Sequence, residues 1–315
     1  MQAAVVDRYG APDVVRIGEV PRPAPRKGEV LVRVRAVAVT SADSRIRGAR
    51  FPSGFGPFAR LAFGLFRPRR PVLGSAFSGE VAAVGPHVGD VAPGDEVCGM
   101  TGIRMGAHAE YVVVPAKKLA PKPPAVSHDD AAAVLFGGST ALFFLRDKAS
   151  LGPGTSVCVN GASGAIGTNA VQLARHLGAT VTAVTSTPNT ALVAGLGAER
   201  VIDYTREDLS TLPDRFDVVL DTVGNLSIAS GRRLLNPGGV LLLAVADLGE
   251  TVRARGDVVA GTSPERAENF AYLLRLVADG VLTVVIDRTY DLRDIAEAHR
   301  RVDSGRKTGN IVVRP

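Results

Sequence analysis

One short segment limits what this chain can fold into more than any other feature: the glycine-rich run Asn160–Gly167, Asn-Gly-Ala-Ser-Gly-Ala-Ile-Gly. It follows an apolar run with the length and composition of a buried strand, Ser156–Asn160, and opens the amphipathic pattern of a helix, Gly167–His176. Backbone N–H groups at the start of such a helix are unpaired and bind anions. The order strand, glycine loop, helix therefore predicts a phosphate-binding unit, although a tight turn without a ligand has the same pattern.

Three small residues of this loop have a particular spacing. Ala162, Gly164 and Gly167 match the G-x-G-x-x-G fingerprint of dinucleotide binding, with alanine in the first place. Glycine in the second place lets the backbone approach a pyrophosphate, and glycine in the third lets the helix pack closely on the strand. We therefore predict a dinucleotide cofactor bound by loop residues, which are Ala162, Ser163, Gly164, Ala165 and Ile166.

Helical and strand patterns alternate from residue 127 onward. Ser127, Asp129 and Asp130 precede an apolar helix, as is typical of a helix N-terminus. The predicted strands that follow are Ser156–Asn160, Thr180–Val184, Arg200–Asp203, Asp217–Leu220 and Val240–Val245. Strands that alternate with helices predict βαβ units, and so an α/β fold with a doubly wound parallel sheet.

The first third of the chain has the pattern of β-strands instead. Glu29–Val39 alternates apolar and polar residues, which is the period of a half-buried strand. The Lys- and Pro-rich run Pro115–Pro124 marks the passage to the next domain, and we expect the C-terminal tail to fold back onto the first. We therefore predict a β-rich domain of residues 1–124 and 285–315 and a dinucleotide-binding domain of residues 125–284.

Charge and cysteine content exclude several classes of protein. The chain of 315 residues has a formal net charge of +6, which is too thinly spread for the basic stripe of a nucleic-acid-binding protein. Its two cysteines cannot form a disulfide scaffold or a four-cysteine zinc site. Asp7 and Arg8 interrupt the N-terminal apolar residues, so no signal peptide is predicted. Glycines break the longest charge-poor stretch, which argues against a membrane span, and we expect a cytoplasmic protein.

The residues after the second strand of the dinucleotide unit bear on the choice of cofactor. An NAD site usually has Asp or Glu there, about 20 residues beyond the loop, to bind the ribose 2′-hydroxyl. Here the run Val184–Asn189 contains hydroxyl groups and an amide but no acid. Because no carboxylate repels a 2′-phosphate, the sequence favours NADPH over NADH. The turn also lacks Arg and Lys, so the positive charge that pairs with the phosphate must come from elsewhere.

Several short motifs occur in an order that resembles the medium-chain dehydrogenase/reductases. They are Gly28–Val32, Leu73-Gly74, Phe77–Val81, Gly94–Val97, Ala109–Tyr111, Asn160–Gly167 and Val201–Tyr204. They extend over essentially the whole chain and are most similar to the zinc-independent quinone oxidoreductase branch, which includes zeta-crystallin-like proteins and plant ene-reductases. The resemblance implies a GroES-like β-rich catalytic domain, a Rossmann domain, NADPH in the cleft between them, and a homodimer.

The resemblance also implies positions for contacts with the cofactor. They are Thr140 beside the nicotinamide, Ser186, Asn189 and Tyr204 around the adenosine phosphate, and Lys307 and Asn310 in the tail. We further expect Val223, Val245 and Ala246, at the ends of strands, to face the crevice where the strand order reverses.

The residues at the positions of zinc ligands argue against a metal. Zinc-dependent relatives have a cysteine and a Gly-His-Glu motif where this chain has Thr40 and Gly74-Ser75. The five histidines and two cysteines show no ligand spacing, so no metal site is predicted. We expect Cys98 and Cys158 in the core and the histidines at the surface or at helix caps. Without a metal Lewis acid, hydride transfer to an already electrophilic acceptor is favoured over alcohol oxidation.

The predicted catalytic residues are Thr40 and Arg45. The loop Thr40–Asp43 resembles the family's Asn-x-x-Asp loop, with threonine in place of asparagine. Arg45 stands where relatives have a Tyr or Lys that points into the cleft, and a cation there stabilises an enolate. A surface ion pair between Arg45 and Asp43 explains the arginine equally well. No proton donor is apparent from the sequence.

The segment Phe51–Arg70 combines phenylalanine with arginine. Five of the chain's 11 phenylalanines lie in it, beside four arginines that follow Arg50. This pattern fits contact with a membrane surface or nucleic acid, or a helix packed on the core. From its position after the cleft loop, we predict an aromatic lid over a substrate site.

These features predict an NADPH-dependent enzyme that transfers hydride to a quinone or an α,β-unsaturated carbonyl compound. Two alternatives stay open. One is a tailoring ene-reductase, ketoreductase or alcohol dehydrogenase of a biosynthetic pathway, and the other is a non-catalytic sensor that binds NADPH.

Overall fold

Two large sheets organise the chain in the structure, a computed structural model that describes residues 1–211 and 213–315. The strands are β1 (Gln2–Val6), β2 (Val15–Glu19), β3 (Glu29–Ala38), β4 (Ala76–Val84), β5 (Glu96–Met100), β6 (Tyr111–Pro115), β7 (Leu119–Pro121), β8 (Ser156–Asn160), β9 (Thr180–Thr185), β10 (Arg200–Asp203), β11 (Phe216–Asp221), β12 (Leu235–Leu243), β13 (Val258–Ala260), β14 (Ile286–Asp291) and β15 (Asn310–Arg314). The α-helices are α1 (Ser41–Gly48), α2 (Gly56–Phe63), α3 (His128–Leu142), α4 (Ala165–His176), α5 (Thr190–Gly195), α6 (Ile228–Arg233), α7 (Leu248–Arg253), α8 (Ala267–Ala278) and α9 (Ile295–Asp303).

The first large sheet is parallel and doubly wound, as predicted. Its strand order is β10-β9-β8-β11-β12-β13, and each neighbouring pair is parallel. The chain runs outward from β8 in one direction and then returns to β11 to run outward in the other. The strand order therefore reverses between β8 and β11, where ligands bind in sheets of this type. Val157, Cys158 and Val159 of β8 are fully buried, as expected of a strand covered on both faces.

The second large sheet is mostly antiparallel and combines strands β3 to β7 with the C-terminal strands β14 and β15, while β1 and β2 pair in a small sheet of their own. Its order is β14-β15-β3-β4-β5-β7, with β6 also paired to β3. The C-terminal strand β15 pairs with β3, where Val312 lies opposite Ala38. The tail thus joins the N-terminal sheet, as the sequence predicts. The α/β fold class, with a GroES-like β-rich part and a Rossmann part, is confirmed, and the boundaries at 124/125 and 284/285 stay a prediction.

The glycine loop and the C-terminal tail meet at the edge of the cleft. The backbone N–H of Gly309 donates to the carbonyl of Ser163 at 2.8 Å. On the other side, α1 begins shortly after β3, and the residues there that line the cleft with the carboxyl ends of the parallel strands are Thr40, Ser41, Ala42 and Arg45. No helix in the described part of the chain is both long enough and apolar enough to cross a bilayer.

The observed elements differ from the predicted ones mainly at their ends. The helix α4 begins at Ala165, two residues before the predicted Gly167, because Gly164 takes the N-cap conformation. The strand β12 begins at Leu235 rather than Val240, since Leu235 pairs with Phe216 across a register shift. The sequence analysis assigned no definite structure to the residues of α2.

Candidate active site

A cleft of about 1030 Å³ lies between the glycine loop, the start of α1 and the C-terminal tail. It contains most of the residues that the sequence singles out for the cofactor and for catalysis. The predicted residues that line it are Thr40, Arg45, Ser163, Gly164, Ala165, Ile166, Tyr204, Val223, Val245, Lys307 and Asn310. The structure thus brings the ends of β8, β9, β11 and β12 and the tail together around one cavity.

Five predicted residues do not line this cavity. Ala162, within the loop, is fully buried, and Ala246 follows the lining residue Val245. Thr140 lies within α3, where its hydroxyl donates to the Phe136 carbonyl at 2.8 Å. Asn189 and Ser186 lie behind the loop, and the Asn189 amide is 3.3 Å from Ser163 Oγ. Their roles at the cofactor stay predictions.

The glycine loop has the shape that a pyrophosphate needs. A Cβ atom at Gly167 would lie 2.2 Å from the Gly161 carbonyl oxygen and 2.6 Å from Ala162 Cα, so only glycine lets α4 approach this closely. A Cβ at Gly164 would meet only the Gly161 oxygen, at 3.4 Å. No side chain caps the first turn of α4, whose N–H groups face the cleft. These open donors fit the phosphates of a dinucleotide.

Lys307 adds a positive charge beside the same loop. Its Nζ donates to the Gly309 carbonyl at 2.5 Å, and Gly309 in turn bonds to Ser163. Burial lowers the pKa of Lys307 to about 8, while Asp287 raises it. That carboxylate is itself bonded to Arg301 at 2.6 Å. This half-buried cation next to a helix N-terminus has no matching acid on the loop, and a pyrophosphate would supply the missing negative charge.

The far end of the cleft contains an arginine that the sequence analysis missed. Arg206 lines the cavity with Tyr204, and its Nε lies 3.6 Å from the carboxylate of Asp203. Asp203 accepts hydrogen bonds from Thr187 and Thr205, which hold its pKa below the ordinary value. Dinucleotide folds usually place this cation after the second strand, here β9, whereas Arg206 follows β10. Acidic neighbours, Glu207 and Asp208, also line this end.

A buried aspartate fixes the loop that follows β11. Asp221 is fully buried, and its carboxylate accepts from the Asn160 amide at 2.9 Å and from the backbone N–H groups of Val223, Gly224 and Leu226 at 2.9–3.1 Å. The loop is therefore held in the orientation that presents Val223 to the cleft. An aspartate at the end of an apolar strand, followed by a glycine turn, was the available signal in the sequence.

The opposite wall of the cleft is built on Asp43. This residue is 1% exposed, and it accepts from the Gly74 N–H at 3.0 Å and from the Thr40 N–H and hydroxyl at 2.8 and 2.6 Å. Thr40 also caps α1, because its hydroxyl accepts from the Asp43 N–H. The Thr40 proton is therefore already donated to Asp43. The catalytic role predicted for Thr40 stays a prediction.

Arg45 is a half-buried cation on this wall. Its guanidinium makes no hydrogen bond or ion pair with any residue that the structure describes, and burial lowers its pKa. The alternative of a surface ion pair with Asp43 is wrong, because Asp43 is buried and bonded to Thr40 and Gly74. Arg45 lines the cleft instead, where it is free to meet an anionic or carbonyl oxygen.

Two of the histidines are buried, contrary to the expectation of surface or cap positions. His108 and His299 are at most 1% exposed, and their rings meet edge to face at 5.8 Å. They come together because His299 lies on the C-terminal helix α9, which packs on the N-terminal sheet, and no local pattern shows that. Burial lowers the pKa of each. The cysteines are buried thiols, as predicted, and burial raises the pKa of each to about 12.

The side chains around the cleft do not fit a zinc ion. Among residues 1–211 and 213–315, no three His, Cys, Asp or Glu side chains are grouped closely enough to bind a metal. Thr40 and Ser75 offer hydroxyls where a zinc site needs thiolate, imidazole or carboxylate ligands, and the Thr40 hydroxyl is already bonded.

The segment Phe51–Arg70 lies beside the cleft rather than in its lining. The Ser53 carbonyl accepts from the Leu248 N–H at 2.9 Å, which links this segment to the dinucleotide half. Phe51 and Phe63 stack at 6.0 Å and pack against the β-rich core. Because the lining contains no residue of the segment, the aromatic lid stays a prediction.

Comparisons with known proteins agree with this architecture. The alcohol dehydrogenase GroES-like domain matches residues 26–124, and the zinc-binding dehydrogenase family matches residues 196–313. The chain is 30% identical to the chloroplastic quinone-oxidoreductase QR1 of Triphysaria versicolor, over 100% of this chain and 98% of that protein. It is also 30% identical to the chloroplastic NADPH-dependent alkenal/one oxidoreductase of Arabidopsis thaliana, over 100% of this chain and 80% of that protein.

A solved structure extends the similarity to three dimensions. The quinone oxidoreductase from Coxiella burnetii superposes with a TM-score of 0.89 at 27% identity, over 100% of this chain and 99% of that one. Similarity over the full length, in both sequence and structure, establishes the family. The chain belongs to the medium-chain dehydrogenase/reductase superfamily of oxidoreductases, in its quinone oxidoreductase branch.

Proposed function

We propose that this protein is an NADPH-dependent, zinc-independent enzyme that transfers hydride to a quinone or an α,β-unsaturated carbonyl compound. One observation carries the proposal: Arg45, a cation without an ion-pair partner in the described part of the chain, lines the same cleft as the open helix N-terminus at Gly164 and Lys307. A site of this kind suits an anionic dinucleotide at one end and a developing oxyanion at the other. The names of the two relatives, a quinone oxidoreductase and an alkenal/one oxidoreductase, support these acceptor classes.

The nicotinamide cofactor, when bound, supplies the hydride. The first turn of α4 and Lys307 bind its pyrophosphate, and the loop fixed by Asp221 orients the rest of it. Arg45 polarises the acceptor oxygen and stabilises the enolate or hydroquinone anion that hydride addition produces. Such preorganised charge is worth several kcal/mol in a water-poor site, on the order of 3 for one donor.

The hydrogen bonds of nearby groups limit which of them can protonate the product anion. Thr40 already donates its proton to Asp43, so we propose that water at the cleft mouth protonates the enolate or hydroquinone anion. The donor set supports the zinc independence that we propose, because hydroxyls at Thr40 and Ser75 do not replace a zinc ligand set. Arg45 then performs the polarisation that a metal performs in zinc enzymes.

Preference for NADPH over NADH depends on a cation near the ribose 2′-phosphate. We assign this role to Arg206, with Tyr204 beside it in the cleft lining. The variant Arg206→Gln should weaken NADPH binding by about tenfold, the value of one charged hydrogen bond, and leave NADH binding unchanged. Arg275→Gln, on the exposed surface of α8, is the control. Equal losses for both cofactors, or none, would remove the assignment.

The activity is tested by following the loss of reduced-nicotinamide absorbance with quinones, enones and an enoyl thioester in parallel. We expect turnover with NADPH and either quinones or enones. Arg45→Met should lower kcat by about a hundredfold without changing the dissociation constant of NADPH. Turnover with the enoyl thioester alone would favour the biosynthetic enzyme, and tight NADPH binding without any turnover would favour the sensor. A cytoplasmic location and a homodimer are also proposed.

A further inference from the structure

Four large apolar side chains are exposed together on α2 and the turn that follows it. They are Phe58 at 63%, Leu61 at 72%, Leu65 at 57% and Phe66 at 86% relative exposure. Three exposed arginines, Arg67, Arg69 and Arg70, come next in the chain. We call these seven residues the Phe–Arg patch. Exposed apolar groups of this size, grouped in one place, usually mark a surface that binds a partner.

Along the sequence, the charged residues next to the patch are all positive. No Asp or Glu occurs between Asp43 and Glu80, and this stretch contains seven arginines. Two of the seven, Arg47 and Arg50, pair with Asp303, and Arg45 lines the cleft, which leaves Arg60 and the three arginines of the patch. Arg67 and Arg70 make no side-chain hydrogen bond or ion pair within the described residues. Their charges are therefore available to an anionic partner.

Contacts beneath the patch hold its apolar side chains outward. On the inner face, Phe63 stacks on Phe51 and packs against the β-rich core. The Tyr9 hydroxyl donates to the Gly64 carbonyl at 2.7 Å. Arg60 donates to Leu65 and Arg69 to Leu61, both at backbone carbonyls, at 2.8 and 3.1 Å. Because these contacts anchor one face of the segment, the other face stays exposed to solvent in the folded protein.

The patch is close in the chain to the wall of the cleft that contains Arg45. It follows α1, which carries Arg45, by a short turn. The Ser53 carbonyl, in that turn, accepts from the Leu248 N–H of the dinucleotide half, so the turn that precedes the patch contacts both halves of the molecule.

We propose that the Phe–Arg patch docks the protein on the surface of a bilayer that contains anionic lipids. Such a surface has a layer of negative phosphates above an apolar layer, and so matches both the arginines and the apolar side chains. An acidic protein or a nucleic acid would match the arginines but would leave four exposed apolar side chains without a role. The docking does not depend on the reaction that the cleft catalyses.

Co-sedimentation of the full chain with vesicles tests the docking. One set of vesicles contains phosphatidylcholine alone, and the other contains about one third phosphatidylglycerol. We expect binding only to the second set, with loss of binding at high salt. Arg67→Gln/Arg70→Gln should weaken partitioning by about thirtyfold, at roughly tenfold per 1.4 kcal/mol and ~1 kcal/mol per arginine. Phe58→Ser/Phe66→Ser should weaken it by about tenfold or more.

Matched substitutions outside the patch separate docking from general surface chemistry. Arg275→Gln/Arg288→Gln removes two exposed arginines, and Ile103→Ser removes a side chain that is 76% exposed. Both should bind the anionic vesicles as the unaltered protein does. All variants should keep its melting temperature, because the changed side chains are exposed. Binding that is indifferent to phosphatidylglycerol, or equally reduced by the control substitutions, would overturn the proposal. So would tighter binding to polyglutamate or duplex DNA than to the vesicles.

Discussion

The two halves of the molecule bury polar groups in different ways. In the dinucleotide half, Asp221 finds most of its hydrogen bonds within five residues of itself, at Val223, Gly224 and Leu226. In the β-rich half, the fully buried Arg47 pairs with Asp303, which lies 256 residues away. A buried polar group that is satisfied locally is determined by a short stretch of sequence, whereas one that is satisfied across the chain depends on the whole fold.

The largest loss of stability should come from breaking the pair between Arg47 and Asp303. Arg47 donates to Asp303 at 2.5 Å and to the Gly10 carbonyl at 2.5 Å, while Ser44 and Arg50 also contact the Asp303 carboxylate. Asp303→Ala leaves a buried guanidinium without its counter-charge, so we expect the free energy of unfolding to fall by about 3–5 kcal/mol. Chemical denaturation measures this loss.

A surface pair in the same half is the control for Asp303→Ala. Arg16 and Asp7 pair at 2.6 Å, and both side chains are more than half exposed. Asp7→Ala should change the free energy of unfolding by no more than about 1 kcal/mol. Equal losses for Asp303→Ala and Asp7→Ala would show that the buried pair is no more important than a surface one.

The next effect concerns the glycine loop of the other half. Gly167→Ala places a Cβ against the Gly161 oxygen and the Ala162 backbone, so α4 must shift. We expect a loss of about 1–3 kcal/mol in the free energy of unfolding, together with loss of dinucleotide binding. Gly164→Ala has room and should keep the stability of the unaltered protein while weakening binding. Similar stabilities for the two variants would contradict the close approach of helix and loop.

The same contrast explains how much of the molecule the sequence predicts. The Asn160–Gly167 loop, its strand and its helix are contiguous, so their pattern alone predicts the parallel sheet and the cofactor loop. Arg206 was missed because it follows a different strand from the one that dinucleotide folds usually use. The contact between His108 and His299 depends on how α9 packs, and side chains 191 positions apart leave no local pattern.

The buried histidines of the β-rich half should lower the free energy of unfolding in acid. Burial first, then the nearby charges of His108 and Arg47, hold the pKa of His299 well below its ordinary value, and Asp303 opposes them. The folded state therefore keeps His299 neutral while the unfolded chain takes up a proton near pH 6.5. The resulting stability is complete above that pH and is lost as the pH falls below it.

Replacing the ring nitrogens should remove part of this acid sensitivity. Neither nitrogen of His299 has a partner among the described residues. His299→Phe should raise the free energy of unfolding by about 1 kcal/mol at pH 7 and by a further ~2 kcal/mol at pH 5. His176→Phe, at an exposed position of α4, should leave the pH dependence unchanged. An unaltered acid midpoint in His299→Phe would mean that other groups cause the loss.

The smallest effect is expected at Lys307, where the charge state of one side chain affects both stability and dinucleotide binding. Its pKa of about 8 in the free protein means that most molecules carry the charge at pH 7, at a cost to the folded state. A bound pyrophosphate favours the charged form, so dinucleotide affinity should be constant below pH 8 and fall as the pH rises above it.

Lys307→Met removes the charge together with the destabilisation that this charge causes in the folded protein. We expect calorimetry to show binding weaker by about tenfold at pH 7 and independent of pH between 8 and about 9.5, with a slightly higher melting temperature of the free protein. Lys27→Met, on the exposed surface, should change neither. A cleft built for an anion keeps its cation at the expense of stability, so a variant that gained stability without losing affinity would show that Lys307 does not face the phosphates. Arg47, whose counter-charge Asp303 is built into the fold, would then differ from Lys307, for which no negative charge would be expected from a ligand.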